Sequence, residues 1–346
     1  MKKIWLCITL AVGVGWLSTV GCKKDTISPD SEEPIAFSVP VGWPAPSYTF
    51  ANNKLTQDGF TLGRKLFYDG RLSRDNSVSC GSCHQQFSGF AHLDHPISHG
   101  INNLLGTRNT PGLSNMAWHP AFFWDGGVNN LESQPINPIE NHVEMDMTLP
   151  EIITRLNTDA DYKKRFKAAF GDETINSQRI FKALAQFMGA MVSADSKYDR
   201  YVKGEAEFTD QEKTGLTVFR QKCGGCHAEP LFSDFSYRNN GLLPDPLVND
   251  TGRAHITREV TDKYKFRVPP LRNVAVTKPY MHDGRITTLE AAVERYRSGI
   301  FASPTLDPAL TGGITMTDAD KQAIVSFLHT LTDTAFLHDA RFAEPK

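Results

Sequence analysis

Apolar residues recur along this chain at helical spacing, in short segments separated by long polar stretches. Behind Thr56, the residues Phe60, Gly63, Leu66 and Phe67 share one face, which predicts a helix with Thr56 as its N-cap. A parallel stretch starts at Thr209 or Asp210 and carries Leu216, Val218 and Phe219. Thr148 and Glu151 form a capping box for a helix to about Asn157, Asp159 or Asp161 opens another to about Phe170, and 177–191 has the apolar stripe of a longer one. Segments 288–297 and 317–331 complete the set. Between them, 96–115, 134–147 and 231–273 are rich in Gly, Pro and Asn and read as loops, whose length in a compact protein usually signals function. The predicted fold class is mainly α, with long loops.

The N-terminus has a different pattern. Lys2 and Lys3 precede an apolar run from Ile4 to Val20 that is interrupted by Thr9, Gly13, Gly15, Ser18 and Thr19. That run is short for a membrane span of about 20 apolar residues, and 1–21 reads as an export signal of lipoprotein type. Gly21-Cys22 resembles a bacterial lipobox with Cys22 as the lipidated residue, although Thr19 stands where an aliphatic residue is usual. Residues 22–46, rich in Pro, Ser and acidic side chains, read as a flexible tether. Removing 1–21 leaves 35 basic against 39 acidic residues, a balance that points away from nucleic acid. The remaining chain is long enough for two domains, which we set at 47–200 and 201–346.

Candidate chemistry lies in two pentapeptides, Cys80-Gly81-Ser82-Cys83-His84 and Cys223-Gly224-Gly225-Cys226-His227. Each reads as a covalent c-type haem attachment site. Two thiols on one turn can add to the two vinyl groups of a porphyrin, and the adjacent histidine is then carried under the iron. Structural zinc does not require histidine as the fifth residue, and a thioredoxin-like pair would end a strand in a βαβ unit, which neither site resembles. Of six cysteines, only Cys7 and Cys22 lie outside these motifs, so no disulfide framework remains. Each motif follows a predicted amphipathic helix, which suggests two related cytochrome c-like haem domains. Bacterial c-type haems are attached outside the cytoplasmic membrane, so motifs and leader agree on the periplasm or cell envelope.

The residues between and after the motifs carry a family resemblance. In order they are Gly106-Thr107-Arg108-Asn109-Thr110-Pro111, Phe122-Phe123-Trp124-Asp125-Gly126, Glu140 to Met145, Val268-Pro269-Pro270-Leu271-Arg272-Asn273, Pro279-Tyr280-Met281-His282-Asp283-Gly284 and Phe327-Leu328-His329. From Leu55 to Leu331 the chain resembles the bacterial diheme cytochrome c peroxidases and their relatives, the methylamine-utilisation diheme enzymes.

The resemblance implies roles. Glu144, in Val143-Glu144-Met145, takes the place of the acid/base glutamate, Gln134 that of the pocket amide that helps hold peroxide, and Trp124 that of the tryptophan between the haems. Asn109, Thr277 and Pro279 match an interdomain calcium site, which adds one Ca2+ to two haems. His99 matches a distal histidine on the first haem that must move before peroxide binds, with His92 and His95 as competitors in sequence. The peroxidases place a methionine ligand 19 residues after the calcium-site threonine, whereas this chain has Tyr296 there, like the methylamine-utilisation relatives. A phenolate is a hard donor that stabilises oxidised iron. Met281 and Met316 remain alternative ligands, and a packed aromatic is the plain structural reading of Tyr296.

Two functions follow from the resemblance. One is a periplasmic peroxidase that reduces hydrogen peroxide with electrons from a small cytochrome c or cupredoxin. The other is oxidation of aromatic residues of a partner protein through a high-valent diheme state. His99 favours the first and Tyr296 the second, and Glu144 and Gln134 argue against a plain electron carrier. The family often forms homodimers.

Overall fold

The computed structural model describes residues 35–346; the leader, Cys22 and the first part of the expected tether lie outside the described residues. Among the described residues the protein is mainly helical, as expected. The helices are α1 (Gln57–Phe67), α2 (Cys80–Cys83), α3 (Ile136–Glu140), α4 (Leu149–Asn157), α5 (Ala160–Phe170), α6 (Ser177–Gly189) and α7 (Lys197–Val202). They continue with α8 (Asp210–Lys222), α9 (Ala254–Thr257), α10 (Leu289–Ser298), α11 (Asp318–His329) and α12 (Thr334–Leu337). One antiparallel pair joins β1 (Tyr237–Arg238) to β2 (Phe266–Arg267). No helix among the described residues is long and apolar enough to cross a membrane.

Caps start these helices where the polar pattern placed them. The Thr56 hydroxyl accepts the Gly59 N–H at 3.0 Å. Thr209 and Glu212 form a capping box at α8, and Asp159 caps α5. Helix α6 stops at Gly189, two residues before the expected end, and the Met191 N–H turns back to the Met188 carbonyl at 3.3 Å.

Two large apolar cores form, beside a small cluster of Ala117, Trp118 and Leu231. The first gathers side chains from Phe50 to Met191 and takes in Phe336, Leu337 and Phe342 from the end of the chain. The second runs from Tyr198 to Leu331. Both are built around the same helix contact. A Cβ on Gly63 of α1 would lie 1.9 Å from the Ala183 carbonyl of α6, and one on Gly215 of α8 would lie 2.0 Å from the Ala323 carbonyl of α11. Phe187 and Phe327, four residues beyond those alanines, sit beside the two glycines. The absent side chains let the backbones touch, and the matching Ala and Phe positions give the repeat a structural form.

A buried polar network joins the segments between the cores. Asp333 accepts from the Ser193 hydroxyl and the Asp195 N–H, both at 3.0 Å. Asn273 donates to the Ser193 hydroxyl at 3.0 Å and accepts the Asp333 N–H at 2.8 Å. Asn115 accepts the Ser193 N–H at 2.9 Å. These groups are buried but mutually satisfied, so they specify register at little desolvation cost. Upstream, Phe37 and Trp43 of the stretch expected to be a tether pack against Trp118, whose indole N–H reaches the Pro44 carbonyl at 2.8 Å.

Replacing Gly63 or Gly215 by Ala forces a Cβ into a backbone carbonyl. The strain outweighs the ~1 kcal/mol gained in helix propensity, and a net loss of about 1–3 kcal/mol is expected for each. Chemical denaturation of the two variants measures it, and midpoints equal to the parent's would refute the close approach.

Candidate active site

The first Cys-x-x-Cys-His turn is α2 itself, and the second follows directly on α8. The four cysteines are free. Burial pushes the thiols of Cys80 and Cys223 up to about 12, so both stay protonated at neutral pH. His84 Nδ1 bonds to the Phe90 carbonyl at 2.7 Å, and His227 Nδ1 to the Phe232 carbonyl at 3.0 Å. A carbonyl only accepts, so Nδ1 carries the proton in each ring and Nε2 is left as a donor for a metal. Burial pushes His84 down to about 4 and lowers His227 as well, keeping both neutral. The acceptors share a backbone feature. Phe90 and Phe232 have φ of 62° and 55°, a left-handed conformation that bulky residues rarely adopt. Their rings are fully buried while their carbonyls face the histidines.

Around the first motif the structure brings together Glu144, Asn141 and the His99 loop. Asn141 donates to the Glu144 carboxyl at 2.7 Å. Burial raises the Glu144 pKa, the Asn141 hydrogen bond opposes that rise, and the carboxylate would bear electrostatically on the sulfurs of Cys80 and Cys83. The loop is pressed onto this segment. A Cβ on Gly100 would lie 2.0 Å from the Val143 carbonyl, and the Ile101 N–H bonds to the Glu144 carbonyl at 2.8 Å. Cys83 Sγ stands 3.8 Å from the His99 carbonyl. The His99 ring itself is exposed and lies edge-on to His95, with 5.3 Å between centroids. His92 is buried instead, stacked on His95 at 4.3 Å and bonded to the Ser98 hydroxyl at 2.8 Å. Burial pushes it down to about 4. Gln134 is half-buried in the turn leading into α3, the helix whose Pro138 and Ile139 carbonyls hold Met145 and Met147.

Around the second motif lies a cavity of about 550 Å3, lined by Cys223, Cys226, His227, Pro269 and Leu271 among others. That volume is in the range of cofactor pockets, and the adjacent thiols and free imidazole nitrogen fit a covalently attached haem. Trp124, Asn109, Thr277 and Pro279 line the same cavity. The Trp124 indole N–H bonds to the Asn109 carbonyl at 2.8 Å. Asn109 spends its amide hydrogens on the Pro96 and His95 carbonyls at 3.1 and 3.3 Å, which leaves its side-chain oxygen free to face a cation. Among the described residues no three His, Cys, Asp or Glu side chains cluster as metal ligands, so calcium here would rest on neutral oxygens and water.

All three ligand candidates, Tyr296, Met281 and Met316, line this cavity. The Asn240 amide lies 3.5 Å from both the Tyr296 hydroxyl and the Met281 sulfur. Burial raises the Tyr296 pKa, while neighbouring Arg295 and the Asn240 amide oppose the rise. Sequence patterning does not mark Asn141, Asn240, Arg267 or Arg295. Asn141 sits three residues before Glu144 on a turn, and the others belong to no motif.

The chain is similar to known proteins along most of its length. A family model described as di-haem cytochrome c peroxidase matches residues 57–207. The chain is 36% identical over 286 residues, 81% of its length and 79% of the relative's, to methylamine utilization protein MauG of Methylorubrum extorquens. It is 35% identical over 280 residues, 78% of each chain, to cytochrome c551 peroxidase of Pseudomonas aeruginosa. A solved MauG-like protein associated with microbial copper homeostasis superposes with a TM-score of 0.80 at 32% identity, covering 90% of this chain and 99% of that one.

The Asn141 hydrogen bond stabilises the ionised form of Glu144, so Asn141→Leu is expected to raise the pH at which this carboxyl protonates. Infrared difference titration of the carboxyl band measures it; a midpoint at or below the parent's would remove Asn141 from the site's electrostatics.

Proposed function

The chain belongs to the di-haem cytochrome c peroxidase family, and on that premise we propose that it is a periplasmic peroxidase reducing hydrogen peroxide to water with electrons from a small cytochrome c or cupredoxin. It is an oxidoreductase carrying two c-type haems. The observation that carries the reading is the half-buried Glu144 carboxyl beside the first haem motif, held by Asn141 and raised in pKa.

When bound at His84, the haem supplies an iron that coordinates peroxide and exchanges single electrons. Each peroxide consumes two electrons and two protons and gives two waters. Glu144 takes the proton from the near peroxide oxygen and returns it to the far one, which requires a carboxyl that starts ionised yet holds a proton readily. A raised pKa meets that need. Gln134 helps hold peroxide, and the loop of His99 moves to open the pocket. Trp124, on the wall of the second cavity, relays electrons between the haems of 47–200 and 201–346. Asn109, Thr277 and Pro279 hold a calcium ion nearby, and Cys22 ties the protein to the envelope through lipid.

A second reading, oxidation of aromatic residues on a partner protein, is favoured by one observation. Tyr296 is half-buried on the wall of the cavity of His227, where Arg295 and Asn240 favour the phenolate that burial opposes.

Glu144→Gln is expected to lower peroxide turnover with a reduced small cytochrome by about 10²–10⁴-fold. In the parent, activity falls as pH drops through the raised Glu144 pKa, because the base must begin ionised; the variant loses that dependence. Folding stability at neutral pH is retained or gained, since a carboxyl whose folded pKa is raised destabilises the fold above that pKa. Turnover equal to the parent's would take Glu144 out of the mechanism. For the second haem, Tyr296→Phe is expected to change its absorption and electron paramagnetic resonance spectra. Unaltered spectra would exclude the tyrosine as ligand.

A further inference from the structure

The second cavity contains a charge with no counter-charge. Among the described residues, three arginines are buried: Arg267, Arg272 and Arg295. Arg272 grips the Asp199 carboxylate with both terminal nitrogens at 2.8 Å. Arg295 gives one terminal nitrogen to the Asn240 carbonyl at 2.8 Å and leaves its Nε and Nη1 without partners, but it does not line the cavity. Arg267 is 5% exposed and lines the cavity, yet it forms no ion pair among the described residues and its Nη1 has no hydrogen-bond partner. Its other contact is weak, from Nε to the Phe123 carbonyl at 3.3 Å.

The surroundings do not neutralise it. Beside Arg267 stand His119, which burial holds well below its ordinary pKa and therefore uncharged, and Tyr237, whose pKa is raised. Asp125, further along that side, is committed to Arg108 at 2.6 Å. Arg253, the other cation there, lies over the Tyr237 ring and donates to the Asp125 and Gly126 carbonyls. Burial pushes the Arg267 guanidinium down to about 10, which still leaves it charged at neutral pH. A buried, unpaired cation is strongly unfavourable, so the fold is completed by an anion that enters this cavity.

The cavity is the one that takes the second haem, and a haem brings its own carboxylates. We propose that Arg267 binds a propionate of the second haem, pairing it from within the cavity wall and raising the reduction potential of that haem. The arginine is suited to the task because its guanidinium fork matches a carboxylate in plane and spacing. Its backbone adds a link to the electron route: the Arg267 N–H bonds to the Trp124 carbonyl at 2.7 Å. Arg267 is thus a positioning residue that ties the edge of the second haem to the segment bearing Trp124.

The test uses the haem-loaded protein and does not depend on which oxidative activity it has. In Arg267→Met the propionate loses its counter-charge, which disfavours the electron. Spectroelectrochemistry should then show the second haem shifted at least tenfold towards the oxidised state, ~59 mV for a one-electron couple, with the first haem unchanged. Arg267→Lys keeps the charge and should stay near the parent. In a crystal structure of the loaded parent protein, a propionate oxygen of the second haem should lie within hydrogen-bond distance of Arg267 Nη1. A Met variant with the parent's potential, or a loaded structure in which both propionates of that haem bond elsewhere, overturns the proposal. If the Met variant does not retain haem, the loaded parent structure decides by the same criterion.

Discussion

The hydrogen bond from a haem-motif imidazole to a phenylalanine carbonyl is the contact on which the rest of this structure depends. It fixes the proton on Nδ1, leaves Nε2 for iron and sets the plane of the ring. Its acceptor is placed by packing. Phe90 and Phe232 bury their rings completely and take left-handed backbone conformations, so the ring anchors in the core while the carbonyl turns to the histidine. Those cores exist because Gly63 and Gly215 allow two helix pairs to touch. A line therefore runs in each half from a glycine through a helix crossing and a phenylalanine to a metal-ready nitrogen.

On this shared frame the two sites diverge through loops. The first receives a carboxyl and a histidine-rich loop, because Gly100 lets the 98–106 segment lie against Val143 and Glu144. The second receives a phenol, two thioethers and an unpaired guanidinium around a single cavity. A carboxyl with a raised pKa suits proton handling, whereas hard and soft donors beside a fixed positive charge suit the tuning of a redox potential. The halves are alike in scaffold and unlike in the chemistry laid over it.

The cores also explain how the long loops are held. The end of the chain returns to the first core, where Arg64 donates to the Ala340 and Arg341 carbonyls and Gln86 to the Asp339 carbonyl. The satisfied network of Asn115, Ser193, Asn273 and Asp333 joins segments far apart in sequence. Such contacts position loops without needing regular secondary structure.

The amino-acid sequence alone determined the longer helices and the two haem attachments, because caps, apolar spacing and Cys-x-x-Cys-His turns act over a few residues, whereas the short helices α3 and α9 lie in stretches that read as loops. Thr56, Thr148, Asp159 and Thr209 mark helix starts in either description. The resemblance carried by its motifs also pointed to Glu144, Trp124 and Tyr296. Only the tertiary structure decided that α1 meets α6 through Gly63, that His92 is buried while His99 is exposed, and that Asn240 stands between Tyr296 and Met281. The same holds for Arg267, an ordinary cation in sequence that becomes an unpaired one through burial. The reason is physical: these properties depend on which distant segments exclude water from one another, and loops without periodicity give no local sign of that.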